Sequence, residues 1–329
     1  MFLPPGEISP PDEAYVLFVD DERGVLHSLK RLFAGIVPRI GLAGGVAEAI
    51  DFMKETEVSV IVSDYMMPGM NGIEFLQLAK MAHPEAVRIL LTAHGDMSVA
   101  MDAINKGEVY KFVTKPWDDA EIKSVVLEAT GRYSLVRSLK NAEEKTLYSL
   151  AKLIELRDPS TAGHCDRVAD YALCLAEAMN LSDAEKKWLK YGGWLHDCGK
   201  IGVPDGVLNK NGPLAPREFD VMKQHSARGA EVARLAGLPG AVVNIILNHH
   251  ERWDGTGYPR GLKGEQIPLD ARIVSVADVY DALTSDRPYR PRFPVPEAIQ
   301  ILKMMSGACL DPGLTGIFLR AREQAKCTS

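Results

Sequence analysis

The sequence predicts two folds in tandem: an α/β doubly wound parallel five-stranded sheet, then an all-α metal-binding helical domain. Three observations carry this expectation. Short apolar runs alternate with amphipathic stretches over residues 12–120, the pattern of an open sheet covered on both faces by helices. Beyond residue 150 the strand-like runs stop and only helical periodicity remains. Five histidines and several acids in that second half lie in or beside apolar segments, where polar groups without partners would be costly.

The 329 residues suffice for about two domains. Composition is that of a soluble globular protein, 46% apolar and 25% charged. A net charge of −6 without any long basic run excludes non-specific binding to nucleic acid or to an anionic membrane. No apolar run approaches the roughly 20 residues of a spanning helix, so no membrane partner is expected. The five cysteines (Cys165, Cys174, Cys198, Cys309, Cys327) are odd in number and lack a C-x-x-C pair, which reads as a reduced, cytoplasmic chain. Residues 1–11, rich in proline, lack the basic and apolar regions of a signal peptide.

In the first half, strands are expected at 16–19, 39–43, 58–62, 87–91 and 110–113, with helices near 24–34, 46–54, 72–82 and 97–106. Such sheets place the reactive site beyond the carboxyl ends of their strands. There stand Asp20, Asp21, Asp64, Thr92 and Lys115. Three carboxylates at one edge repel unless a cation sits among them, and oxygen ligands alone suit Mg²⁺. One of the three can then accept a phosphoryl group, with the Thr92 hydroxyl and the Lys115 charge on its oxygens. Helix capping is the competing reading for any single Asp; the five positions together favour a site.

From 118 to 157 there is no proline and one glycine, Gly131, while Ile122, Val125, Val126, Val136, Leu139, Leu147, Leu150 and Leu153 recur at roughly helical spacing. One helix of about 38 residues would span about 57 Å and could pair with its twin as a coiled-coil homodimer. Two helices hinged near Gly131 is the equal alternative.

The second half reads as helices at 162–179, 183–197, 216–236, 240–250, 269–284, 295–305 and 313–325. A loop at 253–268 carries Gly255, Gly257, Gly261 and Gly264. Asp311-Pro312 reads as a helix cap with Pro at the first helical position, and Cys198 as a small buried hydrophobe, with redox sensitivity the alternative. A lone histidine is more often a satisfied core residue than a ligand. Here His196-Asp197 and His249-His250 are adjacent pairs, joined by His164, His225 and Asp278. Neighbouring positions on a helix diverge by about 100°, so both members face one cleft only if it is wide. Two cations about 3.5–4 Å apart make such a cleft, and Asp197 can bridge them. Imidazole and carboxylate ligands suit Fe, Mn, Ni or Zn. Lys200, four residues after His196, would share its helical face.

Residues 14–130 resemble the receiver domain of bacterial response regulators. The matching stretches are Val19-Asp20-Asp21-Glu22, Ser63-Asp64 through Pro68-Gly69-Met70-Asn71-Gly72, Leu91-Thr92-Ala93 and Lys115-Pro116. The resemblance implies that Asp64 accepts phosphate from a sensor histidine kinase and that Asp20, Asp21 and Asp64 hold Mg²⁺. It also implies a switch built from Thr92, Phe112 and Lys115, and a cis Lys115–Pro116 bond.

Residues 145–315 resemble the HD-GYP subfamily of HD phosphohydrolases. The match rests on His196-Asp197, on His249-His250-Glu251 through Gly257-Tyr258-Pro259, and on the Arg272–Arg290 stretch. It implies hydrolysis of cyclic di-GMP to pGpG, and in some members onward to GMP. His164, His196, Asp197 and Asp278 would bind one transition metal, and Asp197, His225, His249 and His250 the other, Fe or Mn being favoured. Lys200 would act with Asp197 in catalysis and touch the scissile phosphate. Arg287 and Arg290 would grip substrate phosphate, with Tyr258 near a guanine. Ser160 stands where members with a third metal have Glu, so two metals are expected. Glu251 and Asp254 either orient imidazoles or bond the loop.

The resulting expectation is a response regulator of three parts: receiver 12–130, connecting helix 118–157 and phosphodiesterase domain 142–329. Phosphorylation at Asp64 would control the hydrolase. Two alternatives stand beside it: hydrolysis of a mixed cyclic GMP-AMP dinucleotide, or a non-enzymatic adaptor that docks diguanylate cyclases of the GGDEF type.

Overall fold

The computed structural model of the chain describes residues 14–93, 101, 104, 108–158, 162–210, 212–286 and 290–326, and divides into two compact units after Ala142. In the first unit, strands β1 (Tyr15–Val19), β2 (Arg39–Ala43), β3 (Val60–Asp64), β4 (Val87–Ala93) and β5 (Lys111–Lys115) form one parallel sheet in the order β2-β1-β3-β4-β5. This is the doubly wound sheet expected. The ladder runs past the apolar stretches, so β3 and β5 each end on a charged residue, Asp64 and Lys115.

Alternating side chains feed two cores. Val16, Phe18, Val60, Val62, Ile89 and Leu91 pack on one face with α1 (Arg23–Phe33); Leu17, Val19, Ile61 and Leu90 pack on the other with α2 (Val46–Glu55) and α3 (Gly72–Ala82). Asn71 caps α3 by accepting from the Glu74 amide at 3.0 Å, and Glu74 returns the bond to the Asn71 amide at 3.3 Å. Of the helix expected at 97–106 only residues 101 and 104 are among those described, both helical.

The connecting stretch is one helix, α4 (Asp119–Arg157), 39 residues long and unbroken at Gly131. Ile122, Val125, Val126, Ala129 and Tyr133 belong to the first unit's core, and Leu147 and Ala151 to the second unit's. Leu135, Leu139, Leu150, Leu153 and Leu156 are exposed along it.

The second unit is helical: α5 (His164–Ala178), α6 (Asp183–Leu195), the single turn α7 (Asp205–Leu208), α8 (Pro216–Leu235), α9 (Gly240–Asn248), α10 (Leu269–Thr284), α11 (Val295–Met305) and α12 (Pro312–Lys326). Two glycines set the approach of α6 to its neighbours. A Cβ on Gly193 would lie 2.8 Å from the Ala169 Cα of α5, and one on Gly192 2.2 Å from Ile245 Cδ1 of α9. This close packing brings the ends of three helices to one place. Asp311 accepts from the Gly313 and Leu314 amides at 2.8 and 3.1 Å and so caps α12 as expected. Cys165, Cys174, Cys198 and Cys309 are free thiols. Among the described residues no helix is long and apolar enough to cross a membrane.

Candidate active site

In the first unit the carboxylates of Asp20, Asp21 and Asp64 converge at the carboxyl edge of the sheet, close enough to share one cation. The Lys115 ammonium reaches Asp20 at 2.6 Å and Asp64 at 2.7 Å, and the Lys115–Pro116 bond is cis. Burial raises the Asp64 carboxyl and outweighs the lowering by Lys115. Thr92 is buried on β4 and Phe112 is part-buried against the same core as Leu90.

In the second unit the two adjacent pairs do not sit inside helices, which corrects the helix ends expected from periodicity. α6 stops at Leu195 with His196 as its cap residue, and α9 stops at Asn248 with His249 as its cap. The reason for the first break is steric. Asp197 leads into a 3₁₀ turn, Cys198–Gly202, pressed against α8 so closely that a Cβ on Gly199 would lie 1.8 Å from the His225 carbonyl oxygen. Leaving the helix lets both members of each pair face one cleft. Two helix C-termini also aim partial negative charge there, which favours a cation.

Four of the five rings are held from behind. The Nδ1–H groups of His196 and His225 donate to the carbonyls of Gly193 and Met222 at 2.8 Å, and that of His249 to Ile246 at 3.0 Å. His164 donates from Nδ1 to Asp281 at 2.6 Å. These acceptors occupy Nδ1, so four Nε2 atoms are turned toward one another. His164 Nε2 and His196 Nε2 are 3.2 Å apart, and His225 Nε2 and His249 Nε2 are 3.5 Å apart. Facing imidazole nitrogens repel unless a proton or a cation lies between them, and imidazole Nε2 beside carboxylate is a donor set that fits divalent metal.

The groups fall into two sets: His164, His196 and Asp278, and beside them Asp197, His225, His249 and His250. Asp197 touches both, with Oδ2 3.4 Å from His196 Nε2 and Oδ1 3.3 Å from His225 Nε2. Charge follows this layout. Burial strongly disfavours the cationic forms of His225, His249 and His250, lowering all three, His250 to about 4. Burial opposes charge on His196 as well, but without metal Asp197 and Asp278 outweigh it and push this imidazole up to about 9, a proton on Nε2 then taking the place a metal cation would hold. Asp197 stays ionised despite burial because Lys200 and His196 hold it well below the usual carboxylate range.

Lys200 lies on the 3₁₀ turn rather than on the α-helical face expected. In that geometry residues three apart eclipse, and its Nζ meets Asp197 at 2.8 Å and Asp158 at 3.1 Å. A cleft of about 930 Å³ opens over these groups, with His164, Asp197, Lys200, His225, His250, Tyr258, Asp278 and Arg290 in its wall, and Val207, Leu208, Leu214 and Met222 forming an apolar side. The Tyr258 ring lies 4.7 Å from that of His250. Arg290 packs on Phe293 at 4.0 Å and donates to the Ala282 carbonyl at 2.7 Å. Its other terminal nitrogen is buried with no partner among the described residues. Arg287 and Ser160 lie outside the described residues.

Glu251 and Asp254 bond the loop rather than the imidazoles. Glu251 accepts from the Arg260 and Leu262 amides at 2.7 and 3.0 Å, and Asp254 from the Thr256 amide and hydroxyl at 2.9 and 2.6 Å. Two residues of the site escaped the sequence argument. Asp281, fully buried, holds both His164 and the Arg167 guanidinium, the latter at 2.5 Å. Burial raises its carboxyl, but these two partners bring it down to about 2. It lies three residues after Asp278 on α10, and as a carboxylate in the same apolar helix it carries the same sequence signal. Asp158, paired with Lys200, follows the end of α4 and had no periodic signal.

The sequence matches the family profile of the response regulator receiver domain over residues 16–127 and that of the HD domain over 148–314. A cyclic di-GMP phosphodiesterase response regulator of Xanthomonas campestris pv. campestris is 35% identical over 335 residues, covering 94% of this chain and 88% of that protein. A cyclic di-GMP phosphodiesterase of Thermotoga maritima is 34% identical, covering 84% and 82%. A 3′3′-cGAMP-specific phosphodiesterase of Vibrio cholerae is 37% identical over 164 residues, covering 50% of this chain and 36% of that one. With both domain profiles in order and two relatives matched along more than four-fifths of their length, this chain belongs to the response regulators that join a receiver domain to an HD-type metal-dependent phosphohydrolase domain.

Proposed function

We propose that the chain is a cytoplasmic cyclic di-GMP phosphodiesterase producing linear pGpG, switched by phosphorylation of Asp64. The observation that carries the reading is the convergence of His Nε2 atoms around the Asp197 carboxylate. His164, His196 and Asp278 would hold one divalent metal and His225, His249 and His250 the other, with Asp197 between them and Fe or Mn the favoured ions. When bound, the cations supply Lewis-acid stabilisation of charge developing on the scissile phosphate.

The chain's own groups do the rest. Lys200 presents a fixed ammonium to a phosphate oxygen, and Asp158 holds it there. The free nitrogen of Arg290 offers a second charged donor, and Arg287 a third. Positive groups set before the reaction stabilise the transition state without reorganising. Tyr258 and the apolar side formed by Val207, Leu208 and Leu214 receive a guanine and keep water from it. Asp20, Asp21 and Asp64 would hold Mg²⁺ for phosphoryl transfer from a sensor histidine kinase, with Thr92, Phe112 and Lys115 answering it. The exposed leucines of α4 suit pairing with a second copy.

One further substrate is favoured by a relative's stated activity: the mixed cyclic GMP-AMP dinucleotide. Adaptor action on GGDEF-type cyclases has no such support. Chromatography of products after incubating Mn- or Fe-loaded protein with each dinucleotide tests the reading. We expect cyclic di-GMP to give pGpG faster than the mixed dinucleotide is opened, and His196→Ala with Asp197→Ala to abolish both. Preference for the mixed dinucleotide moves the substrate assignment, and signalling that survives the double substitution favours the adaptor.

A further inference from the structure

We propose that Arg157, the last residue of α4, is a positioning residue that carries the state of α4 to the Lys200 turn. All its N–H directions are spent on one short segment. Nε and one terminal nitrogen donate to the Asp205 carboxylate at 3.2 and 2.9 Å, and the same terminal nitrogen donates to the Val203 carbonyl at 2.7 Å. The other terminal nitrogen donates to the carbonyls of Lys200 and Ile201. Three carbonyls and a carboxylate thus close on a single planar fork, a geometry that lysine cannot reproduce.

The neighbouring residues of the same turn grip the rest of the site. Asp158 holds the Lys200 ammonium at 3.1 Å. Glu155, buried, accepts from the Gly163 and Cys165 amides at 3.1 and 2.8 Å, on either side of the ligand His164. Helix α4 therefore ends on both the turn that bears Lys200 and the start of the helix that bears His164. Its first turns are part of the core under the phosphoacceptor sheet. A helix is stiff along its axis, so a small displacement at one end arrives as a displacement of the Arg157 fork, and Lys200 moves with the carbonyls it holds. Removing the fork uncouples the turn without touching a metal ligand.

The proposal deepens the hydrolase reading and rests on it for its catalytic readout, so the test includes one that does not. Full-length, metal-loaded protein is compared with and without beryllofluoride, which mimics the phosphorylated Asp64. Amide hydrogen exchange over 199–205 and the kinetics on cyclic di-GMP are both followed. In the wild type we expect beryllofluoride to change exchange and turnover together. In Arg157→Lys both responses disappear, basal exchange over 199–205 rises, and kcat falls by about tenfold to about a hundredfold with KM and metal content kept. Exchange over 199–205 that ignores beryllofluoride in the wild type overturns the proposal, however the variant folds. So does an Arg157→Lys protein with wild-type kcat and response. Exchange that responds in a wild type unable to open any cyclic dinucleotide supports the coupling and refutes the hydrolase reading.

Discussion

Replacing Asp281 by Asn tests how the site is held together. The carboxylate is fully buried, accepts from His164 Nδ1 at 2.6 Å and pairs with Arg167 Nε at 2.5 Å. Asn keeps the shape but brings one oxygen acceptor where two oxygens served four donors, from His164, Arg167 twice and the Ser285 hydroxyl, and turns an N–H₂ toward one side of them. Charge-assisted hydrogen bonds are worth about 1.5–3 kcal/mol each, and Arg167, 38% exposed in its side chain, recovers part of its loss from water. The uncompensated deficit falls on His164, whose ring is then free to turn. Loss of a carboxylate that orients a ligating imidazole typically costs 10–100-fold in metal affinity, or about 1.4–2.7 kcal/mol. Only the set with His196 and Asp278 contains His164. Calorimetric titration with Mn²⁺ of protein freed of transition metal, in Mg²⁺ to fill the receiver site, should therefore show one of the two hydrolase sites weakened by about tenfold to a hundredfold and the other nearly unchanged. Equal weakening of both sites, or of neither, would refute the two-set assignment.

Other consequences follow from the same geometry. In metal-free protein His196 is raised to about 9, so its charged form adds stability that is complete below its unfolded pKa, about 6.5, and is lost as pH climbs through about 9. Thermal unfolding should show the melting temperature of the metal-free chain falling over that window, with metal reducing the fall. Gly199→Ala puts a methyl 1.8 Å from the His225 carbonyl oxygen, and the turn must retreat by roughly 1.5 Å to reach ordinary contact. Stability should drop by about 1–3 kcal/mol, and turnover by about a hundredfold, read by denaturant melts and initial rates. Glu251→Gln leaves one neutral oxygen where two carboxylate oxygens served the Arg260 and Leu262 amides separately and turns an N–H₂ toward the other amide, which should cost about 1–3 kcal/mol and quicken protease cleavage in 253–268 while metal content is kept.

Much of this was legible in the sequence because burial leaves a pattern. The continuous apolar runs at 16–19 and 87–91 fall inside β1 and β4, and Asp20, Asp64 and Lys115 stand at strand ends because a parallel sheet puts its polar edge there. The seven residues expected at the metal centre lie together for a related reason: polar groups in apolar helices need partners. What periodicity could not show was where helices stop. Nothing in a 3.6-residue pattern signals that Gly199 must meet a carbonyl of α8, so the break after Leu195 and the 3₁₀ setting of Lys200 were invisible. Long-range hydrogen bonds were equally silent. Glu251 holds its own loop, Asp281 holds His164 and Arg157 holds 200–205, and each pairing depends on which helix ends are neighbours. One continuous helix and two hinged ones also have the same sequence pattern; only the structure shows α4 unbroken at Gly131.

The claim on which the account depends most is that these seven side chains work through two cations. The direct measurement is the initial rate of cyclic di-GMP opening as Mn²⁺ or Fe²⁺ is added stepwise, without air, to metal-free protein. With Mg²⁺ present to fill the receiver site, the account predicts negligible rate before transition metal is added and a rise that levels off near two equivalents per chain. Full activity in the metal-free protein, or no activity at any metal loading, would contradict it.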